Sequence, residues 1–230
     1  MKTIGLIGGM SWESSLEYYR IINEKVKKEL GGLHSAKSIM YSVDFEKIKN
    51  LQHEGKWDEL TEIMIDAAKT LEKAGVDLVV ICTNTMHKMA DQVESNINLP
   101  LLHIADATAE SIKKQKLSKI GLLGTKFTME QEFYKGRLQE KHQIDVVIPN
   151  EEDREIVHKI IYNELCLGNI KDSSKNEYVR IIEDLVQQGA QGIILGCTEI
   201  PLLVKQNDVS VPVFDTTTIH AEFAVIEAIK

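Results

Sequence analysis

The sequence predicts an α/β protein assembled from two copies of one parallel-sheet unit, with its working site where the two copies meet. Short apolar, β-branched runs alternate with amphipathic segments along the 230 residues, which is the grammar of βαβ units. The run VDLVVICTN (76–84) is too continuously apolar for a sheet with a wet face, so it reads as a central parallel strand. And the chain repeats itself, in order, at nearly constant spacing.

The elements follow from the pattern. TIGLIG (3–8) is a first strand, and SWESSLEYYRIINEKVKKELGG (11–32) a helix that stops at a glycine pair. SIMYSVDF (38–45) is a second strand. KWDELTEIMIDAAKTLEKAG (56–75) carries apolar residues at helical spacing and ends on Gly75. The central strand 76–84 comes next. Shifted by 116, IGLIG (4–8) falls on IGLLG (120–124), and Tyr18 on Tyr134. Shifted by 114, AGVDLVVICTNT (74–85) falls on QGAQGIILGCTE (188–199). Shifted by 112, LPLLHIAD (99–106) falls on VPVFDTTT (211–218). The crossover between the copies is expected in IKKQKLSK (112–119). The final TIHAEFAVIEAIK (218–230) is helical and is expected to return to the first half. The domains are therefore drawn as 1–114 with 213–230, and 115–212.

Composition narrows the function. A net charge of −8 argues against nucleic acid, which needs a clustered basic surface. No apolar run reaches the roughly 18 to 20 residues that span a bilayer, and MKTIGLIGGMSWESS reads as a strand and turn, not a signal peptide. GLIGGM lacks the GxGxxG spacing of a dinucleotide loop. Cys82, Cys166 and Cys197 are odd in number and show no CxxC, so a disulfide framework or zinc site is not expected, and a reducing cytoplasm is the natural setting.

The repeat points to the site. At the shift of 114, Thr83 falls on Cys197, Asn84 on Thr198, and Cys82 on Gly196, where no side chain is needed. Alternation along a strand sends Cys82 and Thr83 to opposite faces, with Cys82 as a buried thiol unless the strand end bulges. Thr83 and Cys197 thus sit at the carboxyl ends of equivalent strands, where open α/β sheets hold ligands. Two groups of that kind, facing one carbon from opposite sides, are what inverting a stereocentre requires. A thiol suits such work because its pKa can be tuned. Asn84, Thr85, Thr198 and Glu199 are expected to open the following helices, their N–H groups and side chains offered to a carboxylate. Helix capping is the plainer explanation of these residues, but capping asks for no cysteine at the repeat-equivalent position. Glu199 is also expected to raise the Cys197 pKa. His87 either orients a group in the site or lies on a helix surface, and His103, His220 and Asp215 receive no role.

With those residues in view, the sequence resembles the aspartate/glutamate racemase superfamily, the cofactor-independent amino-acid racemases. The resemblance runs through GLIGGMSWESS, TNTMH (83–87), LLGTKFTMEQEFY (122–134), ELCLG (164–168) and LGCTEIPLL (195–203), and is strongest toward the L-aspartate/glutamate-specific and broad-specificity branch. It implies two Rossmann-like domains, a cysteine pair across the cleft, no cofactor (neither pyridoxal phosphate nor metal) and a homodimer. It also implies that Met10, Gln52 and Cys166 line the substrate pocket. This chain departs at Thr83, where many relatives have cysteine, and at Gln52 and Cys166, where some aspartate racemases carry arginine and lysine. Cys197 is accordingly expected to deprotonate and Thr83 to donate, with unequal kinetics for the two enantiomers. Two rivals stand beside this reading: an isomerase or decarboxylase using Cys197, and a non-catalytic binder of small carboxylates.

Overall fold

The computed structural model describes residues 1–230, which divide into two compact units, Met1–Ile104 with His220–Lys230, and Ala105–Ile219. The first unit opens with β1 (Ile4–Gly8) and α1 (Trp12–Leu30). Ser11 caps α1 by accepting the Ser14 N–H, Glu13 lies in its first turn, and Lys27 and Lys28 in its last, which suits the helix dipole at both ends. Gly31 at φ 74° ends it. Tyr18, Ile21, Ile22 and Val26 recur on one face and are buried, each contributing about 1.5–3 kcal/mol of apolar transfer. Then come β2 (Ser38–Ser42), α2 (Phe45–His53), α3 (Trp57–Lys73), β3 (Leu78–Ile81), a 3₁₀ turn (Thr85–Met89), α4 (Ala90–Glu94) and β4 (Leu101–Leu102).

The second unit holds α5 (Ile104–Lys114), β5 (Lys119–Gly124), α6 (Lys126–Glu130), α7 (Glu132–His142), β6 (Asp145–Val147), α8 (Glu151–Asn163), a 3₁₀ turn (Leu165–Leu167) and α9 (Asp172–Gln187). It continues through β7 (Ile193–Gly196), α10 (Ile200–Leu203), a further 3₁₀ turn (Gln206–Asp208) and β8 (Val213–Asp215). The last helix, α11 (Thr216–Ile229), leaves β8 and buries Ala221, Ala224, Val225 and Ala228 against Tyr18 and Ile22 in the first unit's core, as the sequence led one to expect.

Each unit has a four-stranded, all-parallel sheet, in the orders β2-β1-β3-β4 and β6-β5-β7-β8. The two ladders are in the same register. Gly5 pairs with Val79 and Ile7 with Ile81 in the first; Gly121 pairs with Ile193 and Leu123 with Leu195 in the second. Val79 pairs with Leu101, and Ile193 with Val213. These pairings reproduce the offsets of 116, 114 and 112 read from the sequence, so the repeat is a repeat of hydrogen-bonding position.

The unit boundaries differ from the expected ones. Helix α5 goes with the second unit because Asp106 receives Arg137 Nε and Nη2 at 2.7 and 2.6 Å and His142 Nε2 at 2.8 Å, and Tyr134 donates to Thr108 at 3.3 Å. Strand β8 cannot leave the second unit because it pairs with β7. No helix is long and apolar enough to cross a membrane.

Candidate active site

In an order such as β2-β1-β3-β4, the chain leaves β1 for one side of the sheet and returns on the other. The crevice of such a sheet opens between the carboxyl ends of β1 and β3. In the first unit those ends carry Gly8–Met10 and Cys82–Thr85.

Local hydrogen bonds fix this loop pair. Gly9 lies at φ +87°, and a Cβ there would stand 2.2 Å from the Val43 carbonyl oxygen, so only glycine fits. The Gly9 N–H donates to Ser15 Oγ at 2.7 Å, and Ser15 Oγ donates to the Ser11 carbonyl at 3.0 Å. Ser14 Oγ donates to the Cys82 carbonyl at 3.0 Å, tying α1 to the end of β3.

Pleating separates the neighbours at that end. Ile81 packs with Ile7 and Val79 on one face, while Cys82 packs with Leu6 and Val80 on the other and is 0% exposed. Burial pushes the Cys82 thiol up, which leaves it inert at neutral pH. Thr83, next along, is partly exposed. Asn84 and Thr85 are buried at 4% and 8% exposure. Met10 sits in the core beside Ile7 and Met86, and the Gln52 amide donates to Met86 Sδ at 3.2 Å from a buried position.

In the second unit the matching ends, of β5 and β7, carry Gly124–Thr125 and Gly196–Glu199. A Cβ at Gly196 would lie 2.8 Å from the Leu123 carbonyl oxygen, so this unit has no room for the side chain that Cys82 places in the first. Cys197 follows, partly exposed. Its thiol donates to Glu199 Oε2 at 2.8 Å, and Thr198 Oγ1 donates to the same oxygen at 2.8 Å. Burial first, then the Glu199 charge and Cys166, push the thiol well above its ordinary range, in the direction that the sequence gave reason to expect from Glu199. Cys166, in the turn Leu165–Leu167, is partly exposed. Tyr162 and Tyr178 also border the group: burial raises both phenols, and the charges of Cys197, Cys166 and Glu199 add to it.

Short helices begin where expected, with Asn84 at the N-cap of the first and Glu199 at the N-cap of the second. After Thr83 the chain makes the 3₁₀ turn Thr85–Met89, and after Cys197 a turn leads into the four residues of α10. So short a segment sums few peptide dipoles, and any anion would rely on individual N–H and hydroxyl donors. Ser14, Ser15, Tyr162 and Tyr178 are the neighbours that sequence reasoning did not single out. Ser14 and Ser15 stand within a quoted motif; the two tyrosines give no signal beyond helical periodicity.

Two all-parallel α/β units of matching register, with a hydroxyl just past β3 in one and a thiol just past β7 in the other, define the class of protein as a two-unit α/β fold. The comparisons make the class specific: the chain belongs to the Asp/Glu/Hydantoin racemase family, whose model matches residues 7–224. It is 24% identical over 234 residues to the broad-specificity amino-acid racemase RacX of Bacillus subtilis, covering 96% of each chain. A crystal structure of a candidate Asp/Glu racemase from Yersinia pestis superposes with a TM-score of 0.96 at 59% identity over the whole of both chains. An aspartate racemase homologue from Pyrococcus horikoshii does so with a TM-score of 0.88 at 41% identity, again over the whole of both.

Proposed function

We propose that the chain is a racemase that inverts the α-carbon of aspartate or glutamate without pyridoxal phosphate, with Cys197 and Thr83 as the acid/base pair on opposite faces of that carbon. The observation that carries this reading is the shared ladder register, which gives Thr83 and Cys197 equivalent positions just past β3 and β7.

The Cys197 thiol loses its proton to solvent, the thiolate takes the α-proton, and the Thr83 hydroxyl returns one from the other side, to be reprotonated from water. The raised thiol is a weak acid and a strong base once ionised, which matches abstraction better than donation. Asn84, Thr85 and Thr198 supply hydrogen bonds to the substrate carboxylates, with Cys166 nearby. Met10 and Gln52 line the substrate pocket. Because the enantiomers have equal free energy, kcat and KM must change together between them, and the asymmetry of the pair appears in each constant separately. A homodimer in a reducing cytoplasm goes with this reading. Trp12, Leu16 and Tyr19 leave one face of α1 exposed at 65%, 54% and 51%, and all three cysteines are free.

The test is to incubate the protein with L-aspartate or L-glutamate in D2O. Deuterium at the α-carbon together with the D-enantiomer is expected. Decarboxylation, isomerisation to another skeleton, or binding without exchange would each replace the reading.

A further inference from the structure

The β3–β4 ladder ends at Val80 and Leu102, and beyond it a side chain takes over. His87 Nδ1 lies 2.7 Å from the Thr83 carbonyl oxygen, and its Nε2 lies 3.2 Å from the Ile104 N–H. A carbonyl oxygen only accepts and an amide N–H only donates, so the two partners together permit one state of the ring: neutral, with its proton on Nδ1. The imidazole is 2% exposed. The rings of His103 and His220 pack against it at centroid distances of 4.6 and 5.5 Å. His220 is held in turn, its Nδ1 at 2.8 Å from the Tyr18 hydroxyl and its Nε2 at 2.8 Å from the Leu102 carbonyl.

We infer that His87 is a positioning residue for Thr83: its ring replaces the missing rung between the ends of β3 and β4 and fixes the backbone that carries the Thr83 hydroxyl. On the β4 side the ladder stops three residues before Thr83; Cys82 is held through its N–H to Ile7 and its carbonyl to Ser14, and the His87 bridge adds the anchor at the Thr83 carbonyl itself. With the bridge in place, the Thr83 carbonyl is anchored to the start of the following segment. The surrounding histidines leave the ring no room to turn. A misplacement of about 1 Å at a reacting group can lower turnover about 10²-fold. The inference rests on the assignment of Thr83 to catalysis.

Two substitutions separate the two bonds. In His87→Asn the amide nitrogen takes the place of Nδ1 and keeps the donation to Thr83, losing the bond to Ile104. In His87→Gln the amide oxygen reaches the place of Nε2 and keeps Ile104, losing Thr83. Both lose one buried hydrogen bond, so both should melt earlier by similar amounts. Positioning predicts that kcat stays within about threefold of the parent in His87→Asn and falls at least about tenfold further in His87→Gln, with KM little changed. Equal losses in the two, following stability alone, would overturn the inference. Thr83→Ala serves as the control. If it keeps full activity, the catalytic assignment of Thr83 fails by itself; if it is inactive while the two His87 variants are alike, only the present inference fails. Nitrogen NMR of the ¹⁵N-histidine-labelled protein checks the bridge without any assay: a protonated Nε2 and bare Nδ1 at His87 would refute it whatever the activity.

Discussion

Replacing Glu199 by Gln should make Cys197 easier to alkylate. The carboxylate stands 2.8 Å from the thiol sulfur, so ionising the thiol places two negative charges at that separation. Even at the dielectric of water two unit charges at 2.8 Å repel by about 1.5 kcal/mol. That corresponds to about a tenfold lower thiolate population, and partial exclusion of water around Cys197 makes it a lower bound. The amide keeps the shape and the hydrogen-bonding capacity of the side chain but not the charge. A thiolate of lower pKa is also a poorer nucleophile, with a Brønsted slope of about 0.4–0.5. The net gain in rate is then at least about fourfold. Iodoacetamide at pH 7.5, with peptide mass spectrometry following the label on Cys197 alone, reads this directly. An alkylation rate that stays the same or falls would mean that Glu199 does not oppose the thiolate.

Cys197→Ser should abolish racemisation by at least about 10³-fold, since a hydroxyl at that place stays protonated; circular dichroism should show the fold unchanged, and a variant with full turnover would remove Cys197 from the mechanism. Gly9→Ala should lower the free energy of unfolding by at least the roughly 1–3 kcal/mol of a strained positive φ, because its methyl group would meet the Val43 carbonyl; an unchanged urea midpoint would refute the need for glycine. Burial raises the Asp106 carboxyl, but the hydrogen bonds of Arg137 and His142 outweigh it and hold it below the usual carboxylate range. Its contribution to stability is therefore present above pH about 4 and lost as pH falls through the depressed folded value. Urea midpoints of the parent and of Asp106→Asn should differ at pH 5 and converge below about pH 3, and a difference that grew between about pH 5 and 3 would contradict the pairing.

What the sequence revealed and what it hid divide along a physical line. Strand positions were legible because a parallel strand covered on both faces must be apolar throughout, and the two copies obey that constraint at matching places: Ile81 and Leu195 hold the same rung of their ladders. From the rungs follows the equivalence of Thr83 and Cys197, with Cys82 turned into the core by pleating alone. The unit boundary was hidden because α5 is assigned by contacts far along the chain, Asp106 with Arg137 and His142, and periodicity carries no information about which sheet a helix will join. The direction of Gln52 was hidden for a related reason: a polar residue within a helix of mixed character does not announce that its amide will meet a methionine sulfur. Length after the strands was the third gap. Motif spacing placed donors after Thr83 and Cys197, but the turns that follow are too short to sum a dipole. That shortness changes the chemistry asked of the site. In the proposed racemisation, charge that develops on the α-carbon and its carboxylate would be met by discrete hydrogen bonds, and those are only as good as the rigidity of the loop bearing them. Around Thr83 that rigidity comes from Ser14, Ser15 and His87, three side chains whose partners are backbone atoms of the loops themselves.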